Sequence, residues 1–247
     1  KLTRQLFTFL QQRDEFRKKH GADEYVGEII EKQRHGQGTI VGKRGSFYKG
    51  AWRNNKKHGK GESYSGKGGF YVGEFYKGKF HGHGTFAHAG RKYVGQYKHG
   101  KPHGKGIMSG ADTKYVGVFE EGSPHGYGEV TYHDGTKEVA TWSRHKKGYP
   151  FGHEGKNKTM IWPNGQKYIG EWLNQQQHGQ GTCFYEDGIK YVGEWQYGER
   201  HGKGIMFFPD DRSKYEGMWF ENKMHGEGKF TYADGSILEG IWHKGKH

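Results

Sequence analysis

Eight histidines stand at a fixed distance behind eight tyrosines. His35, His58, His81, His103, His125, His178, His201 and His225 each lie ten residues after Tyr25, Tyr48, Tyr71, Tyr93, Tyr115, Tyr168, Tyr191 and Tyr215. Repeated imidazoles are the raw material of zinc sites and of proton transfer. The spacing argues against a metal. Equivalent residues of adjacent repeats lie ~10 Å apart, two strand spacings, whereas the ligands of one zinc converge within ~2 Å of the ion. His81 and His83 are close in sequence but bring no evident further ligands. A structural role is expected, with a ring nitrogen bonded to backbone at a turn. The 17 histidines add positive charge as pH falls.

Other chemistry-bearing residues are equally tied to the pattern. Gly66-Lys67-Gly68-Gly69 resembles a phosphate loop in composition only, because no stretch fits G-x-x-x-x-G-K-[ST] followed by a helix. Cys183 is the one cysteine, so neither a disulfide nor a cysteine zinc site forms within the chain. It falls at an apolar strand position, which makes it a packing residue rather than a nucleophile. No acid–base pair or nucleophile triad stands apart from the repeats. The expectation is a protein that is not an enzyme, with no cofactor and no metal.

The element that positions all of these is one phrase. Tyr191-Val-Gly193-Glu-Trp195 is followed, after five residues, by His201-Gly202-Lys-Gly204. Successive copies start 22 to 24 residues apart, except across one irregular interval, and such a period marks a repeat array. Tyr, Gly and the second aromatic are two apart, which predicts a strand with all three on one face. The glycine between two aromatics reads as a slot for a neighbouring ring. Val72 and Glu74 point to the opposite face. His-Gly-x-Gly opens a second strand, whose fifth residue after the histidine is mostly apolar: Ile40, Phe86, Met108, Val130, Cys183, Met206 and Phe230, with Ser63 the exception. Each repeat is thus a β-hairpin. Asp134-Gly135, Asn164-Gly165, Asp187-Gly188 and Asp234-Gly235 join one hairpin to the next, supplying the positive φ of tight turns.

Composition sets limits. Leu, Ile, Val and Phe number only 39 of 247 residues, and the net charge is +13, a balance that points toward disorder. Aromatics at 16% in fixed places reverse that reading, leaving an ordered array with a thin aromatic core. The positive charge suits an acidic protein surface, anionic lipid or nucleic acid, and equally a soluble sheet with protected edges. It is spread along the chain, and nucleic acid is not expected as a partner. No apolar run approaches the ~20 residues of a membrane span. The chain neither starts with Met nor ends between repeats, so further repeats or another domain are compatible with it.

In order along the chain, residues 1–20 contain a short amphipathic helix over 4–19, with Leu6, Phe9, Leu10 and Phe16 near helical spacing and Gly21 as its stop. It is expected to cap the first hairpin's open end, or to dock a partner. Residues 21–137 hold five regular repeats. The pattern falters over 138–167: Glu138 replaces Tyr, Ala140 replaces Gly, Gly148 replaces His, and only Trp142 survives. This reads as a degenerate repeat with an inserted loop containing Pro150. Repeats seven to nine and a partial one, with Leu238, Gly240 and Trp242, fill 168–247.

The expected fold is all-β: an elongated single-layer antiparallel meander of stacked hairpins with a short N-terminal helix. Such a sheet leaves one side of each ring open, so the aromatic face is the expected partner-binding surface, for a helix or an extended peptide. Its residues are Tyr25, Trp52, Tyr71, Phe75, Tyr93, Tyr97, Tyr115, Phe119, Tyr168, Trp172, Tyr191, Trp195, Tyr215 and Trp219.

Tyr-x-Gly-x-Trp-x-x-Gly-x-x-His-Gly-x-Gly, as in residues 191–204, resembles the MORN repeat (membrane occupation and recognition nexus) over about 21–247. The resemblance implies antiparallel hairpins and a scaffold or adaptor for other proteins. Its relatives include radial-spoke and other axonemal proteins, cytoskeletal adaptors, membrane tethers and segments attached to enzymes. It therefore implies a cytoplasmic, cytoskeletal protein of a cilium or flagellum axoneme. The alternatives are a tether to anionic phosphoinositide lipid and a regulatory segment of a larger enzyme. Self-association is a further option for the aromatic face.

Overall fold

The structure is a computed structural model that describes residues 2–143, 152–153, 157–210 and 212–247. The chain divides into two compact units, and the boundary falls at Gly126/Tyr127. The first unit opens with helix α1 (Leu2–His20) and continues through β1 (Tyr25–Ile30), β2 (Gln33–Val41), β3 (Phe47–Arg53), β4 (Lys56–Tyr64), β5 (Phe70–Tyr76), β6 (Lys79–His88), β7 (Arg91–Lys98), β8 (Lys101–Ser109) and β9 (Thr113–Glu120). Strand β10 (Ser123–Tyr132) contains the boundary. The second unit holds β11 (Lys137–Ser143), β12 (Gly152–His153), β13 (Asn157–Ile161), β14 (Lys167–Leu173), β15 (Gln176–Phe184), β16 (Lys190–Gln196), β17 (Glu199–Phe207), β18 (Lys214–Phe220), β19 (Lys223–Thr231) and β20 (Ile237–Trp242).

Within the first unit, β1 to β9 pair strand after strand as an antiparallel meander. Within the second, β13 to β20 do the same, and β11 pairs with both β12 and β13. The register is set by the repeat. Tyr191 faces Met206, Gly193 faces Gly204, and Met206 in turn faces Tyr215. The motif glycines therefore meet in pairs across strands, and the tyrosine meets the apolar position five residues after the histidine.

Every regular hairpin with a resolved register carries one irregularity, just after its first glycine, as between Gly193 and Glu194. The bulge lets Gly202 take φ 54°, the left-handed region that a side chain disfavours. This is why glycine follows each motif histidine. Tight two-residue turns close the hairpins at Asn54–Asn55, with φ 49° and 63°, and at Tyr197–Gly198, with φ 52° and 86°. The Asp-Gly and Asn-Gly joints supply positive φ as expected, but through the glycine alone. At Asp134–Gly135 only the glycine is left-handed, and the Asp134 carboxylate accepts the Thr136 N–H at 2.8 Å. The paired positive φ sits at the other end of each hairpin.

Helix α1 does not cover the end of the first hairpin. It lies across β2–β5, on the face opposite the tyrosines. Phe9 is buried, with its ring 4.6 Å from Phe47 and 5.0 Å from Phe70. Phe16 lies 6.3 Å from Phe47, and Val41, Val72 and Tyr64 complete the cluster. Gln12 accepts a bond from the Lys49 ammonium at 3.3 Å. The cause is local: Phe47 and Phe70 precede the motif tyrosines, where most other repeats have Lys, so alternation turns them to the opposite face.

Candidate functional site

The ring of each motif tyrosine lies along its own strand. The Tyr191 hydroxyl reaches over Gly193 and Gly204 to donate to the Glu194 carbonyl at 3.0 Å, with the His201 carbonyl at 3.4 Å. The bulge frees those two carbonyls, and the phenol satisfies them. The same bond to the carbonyl three residues on is made by Tyr25, Tyr48, Tyr71, Tyr93, Tyr115, Tyr168 and Tyr215, at 2.7–3.2 Å. A Cβ added at Gly204 would fall on the Tyr191 hydroxyl. The expected slot is real, and its occupant is the tyrosine two residues before the first glycine.

Tryptophan locks successive repeats. The indole N–H of Trp195 donates to Gly181 O at 3.2 Å, and Trp52 reaches Gly38 O at 3.1 Å. Tyr48, Tyr71, Tyr93, Tyr168, Tyr191 and Tyr215 are each clasped edge-on by two rings, their own repeat's and the next one's, while Tyr25, whose repeat has Ile29 at that place, is met by Trp52. In the first unit the ladder runs Tyr25–Trp52–Tyr48–Phe75–Tyr71–Tyr97–Tyr93–Phe119–Tyr115, with centroids 4.8–5.5 Å apart. In the second it runs Trp172–Tyr168–Trp195–Tyr191–Trp219–Tyr215–Trp242 at 5.2–5.3 Å. Edge-to-face contacts of this kind contribute about 0.5–1.5 kcal/mol each beyond area burial.

One side of each ring was expected to stay open, and the structure closes it. Of the fourteen residues assigned to the partner face, Trp52, Tyr71, Phe75, Tyr93, Tyr97, Tyr115, Phe119, Tyr168, Tyr191, Trp195, Tyr215 and Trp219 are buried within the chain. Tyr25 and Trp172 are half-buried. Cover comes from a residue that sequence reading passed over, the one just before the motif histidine. Arg200 lies 4.8 Å from the Trp219 ring, and Lys57 lies 4.6 Å from Tyr48. Arg34 sits 5.2 Å from both Tyr25 and Trp52, and Phe80 stacks on Tyr71 at 3.8 Å. Chemically these covers share nothing but reach, so no repeated letter betrayed the position. Burial pushes the phenols of Tyr93, Tyr115 and Tyr215 up to about 12. It also lowers the Lys57 ammonium below the usual lysine range.

The motif histidines turn to the opposite face, where they meet rings rather than backbone. His201 lies 5.2 Å from Phe220, His178 lies 5.6 Å from Tyr197, and Tyr76 sits between His58 and His81 at 5.3 and 5.4 Å. His103, His178 and His225 bury Nδ1 without a hydrogen-bond partner. For His58, His81, His178 and His201 tilted and edge-on ring contacts stand where a ring-to-backbone bond was expected, and His125 Nε2 lies 3.3 Å from the Glu120 carboxylate. Among the described residues no group of three His, Cys, Asp or Glu is placed to hold a metal ion. Cys183 is buried opposite Tyr168, and burial raises its thiol. Among the described residues no helix is long and apolar enough to cross a membrane.

The acid after the first glycine has a structural task too. Glu194 accepts the Lys203 N–H at 3.0 Å, and Glu28, Glu74 and Glu171 do the same at Gln37, His83 and Gln180. The opposite face leaves apolar side chains exposed: Val94, Ile107 and Val116 in the first unit, and Ile169, Val192 and Met218 in the second.

The degenerate repeat keeps its hairpin. Glu138 pairs with Met160, which stands at the usual apolar position, and Trp142 donates to Gly128 O at 2.8 Å as Trp52, Trp195 and Trp219 donate to their glycine carbonyls. Glu138 occupies the tyrosine position and Lys158 the second glycine position, and they form an ion pair at 3.1 Å. The readings placed on Gly148 and Pro150 lie outside the described residues.

No curated protein matches the chain in sequence. Among solved structures, the TCP10 domain of Danio rerio CPAP in complex with a peptide of Danio rerio STIL is similar at 10% identity and a TM-score of 0.44, covering 89% of this chain and 100% of that one. The same domain without the peptide gives 9% identity, a TM-score of 0.47, and coverage of 85% and 99%. The Drosophila melanogaster SAS-4 TCP domain, in complex with a proline-rich motif of Ana2, gives 10%, 0.32, 87% and 97%. At TM-scores under 0.5 these likenesses carry no argument about this chain. The model of the MORN repeat matches at residues 25–47, 48–70, 71–89, 93–113, 115–137, 168–190, 191–211 and 215–237. With most of its length in eight such repeats, the chain belongs to the MORN-repeat family.

Proposed function

We propose that this protein is a non-catalytic scaffold that holds protein partners at fixed spacing. The carrying observation is that the ring ladder is complete within the chain. Successive regular hairpins are joined by edge-on contacts between Tyr and a second aromatic and by paired glycines, so the array needs no partner to fold. Its opposite face is free to present repeated apolar and basic side chains. That face already accepts one amphipathic helix, α1, through Phe9 between Phe47 and Phe70. Following the character of several family relatives, the site of action is a ciliary or flagellar axoneme, in a radial-spoke or microtubule-associated complex. The rings expected to bind a partner contribute through the ladder that supports the opposite face.

The test is localisation of the tagged full chain in ciliated cells, joined to crosslinking and affinity capture. Axonemal signal with a stoichiometric, saturable protein partner supports the reading. Diffuse signal with no such partner contradicts it. Co-sedimentation with phosphoinositide vesicles, strongest at low salt, would favour the lipid tether instead.

A further inference from the structure

The bed of α1 does not end where α1 ends. In direct register, Val72 of β5 faces Thr85, Thr85 faces Val94, Val94 faces Ile107, and Ile107 faces Val116 of β9. Val72 is covered by the Phe9 cluster. Val94, Ile107 and Val116 continue the same line on the same face, uncovered and about two-fifths exposed.

Its flanks carry one sign of charge. Lys92 and Lys114 both face Ser109, two residues to one side of the apolar line. Lys105 lies two residues to the other side, facing Val118. Four of the eight repeats place Glu after the first glycine, but β7 has Gln96 and β9 has Val118, so the patch lacks those acids. All three lysines are exposed.

We infer that Val94, Ile107 and Val116, flanked by Lys92, Lys105 and Lys114, form the seat of an amphipathic helix from another protein, one with acidic residues on both sides of its apolar stripe. This rests on the scaffold reading and names the partner class. The geometry suits a helix lying across the strands: strands advance ~4.8 Å and a helical turn ~5.4 Å, so apolar residues at i, i+4 and i+7 meet three strands in turn. Helix α1 is the precedent, lying across β2–β5 by the same means. A second copy of α1 is the wrong occupant. Its Arg4, Arg13, Arg17, Lys18 and Lys19 outnumber Asp14 and Glu15, so like charges would meet.

The test is fluorescence anisotropy of the intact chain with a labelled synthetic helix of about four turns. The probe carries Leu at i, i+4, i+7 and i+11, and Glu on both flanks. A scrambled peptide of the same composition and phosphatidylserine vesicles are the comparisons. Saturable binding should weaken by about tenfold or more in I107E, and likewise in K92E/K105E/K114E, with the variants' circular dichroism unchanged. It should also weaken with salt. The inference is overturned if the scrambled peptide binds equally, if I107E binds as tightly as the parent, if the folded chain binds neither peptide, or if only vesicles bind through these lysines. A cellular protein partner held fully by I107E would remove this seat and leave the scaffold reading intact. The absence of any protein partner would remove both.

Discussion

The Lys158 ammonium lies 3.1 Å from the Glu138 carboxylate, where every regular repeat has a tyrosine lying over a glycine. Both side chains are nearly enclosed, and Glu138 also accepts the Tyr132 hydroxyl at 2.5 Å. Lys158 stands 4.5 Å from the Trp172 ring, doing from below what the tyrosine edge does elsewhere. A ring and a notch have been exchanged for an acid and a base, and the strand pairing of the hairpin is kept.

Breaking that pair on one side should therefore be costly. Lys158→Met or Glu138→Leu leaves a buried charge uncompensated, a loss of about 3–5 kcal/mol. Restoring the family pattern in the double variant Glu138→Tyr/Lys158→Gly should recover most of that loss. Urea denaturation of the two singles and the double measures it. A double variant no more stable than either single would show that the two positions do not act as one unit.

The tyrosine and glycine of a regular repeat should be unequal partners. Gly204→Ala drives a methyl group onto the Tyr191 hydroxyl, with a loss of about 1–3 kcal/mol. Tyr191→Phe removes one bond to a bulge carbonyl and keeps the ring, a loss of about 1 kcal/mol. Combined, the two should cost close to their sum, because the Tyr191 ring carbons that the methyl also meets stay in place without the hydroxyl. Chemical denaturation of the three variants reads this out.

The array should be sensitive to alkali. Tyr93, Tyr115 and Tyr215 ionise at about 12 when folded, against ~10 for a solvated phenol. The unfolded chain loses these protons first. The contribution is therefore complete below pH ~10 and is lost as pH rises from there toward about 12. Ultraviolet titration should show the ladder tyrosines ionising only together with loss of the β-sheet signal.

Helix α1 should detach without unfolding the sheet beneath it. Phe9→Ala removes the buried anchor between Phe47 and Phe70, a loss of about 3–5 kcal/mol of helix docking. Hydrogen exchange should speed up over residues 6–20 while β6–β9 keep their protection. Faster exchange through β9 would mean that the helix supports the whole unit.

The hairpin period, strand faces, paired glycines and helix were legible because they depend on letters that recur at fixed spacing. Three things were not. In four repeats the cover over the rings comes from Arg34, Lys57, Phe80 and Arg200, whose only common property is length. The seat of α1 depends on Phe47 and Phe70, which look like ordinary residues before a motif tyrosine until alternation places them on the far side. The histidines were read by their hydrogen-bonding habit, but the bulge turns them toward Tyr76, Tyr197 and Phe220, where ring contacts are what neighbours offer.

The central claim is that the rings are sealed by their own chain and that the other face meets the partner. Hydroxyl-radical footprinting of the intact protein, read residue by residue by mass spectrometry, tests it most directly. Tyr71, Tyr115, Tyr168, Tyr191 and Tyr215 should be protected, while Tyr127 and Tyr197, 73% and 61% exposed, are labelled quickly and Val94 and Ile107 measurably. Ladder tyrosines labelled as fast as Tyr127, with Val94 and Ile107 protected, would contradict it.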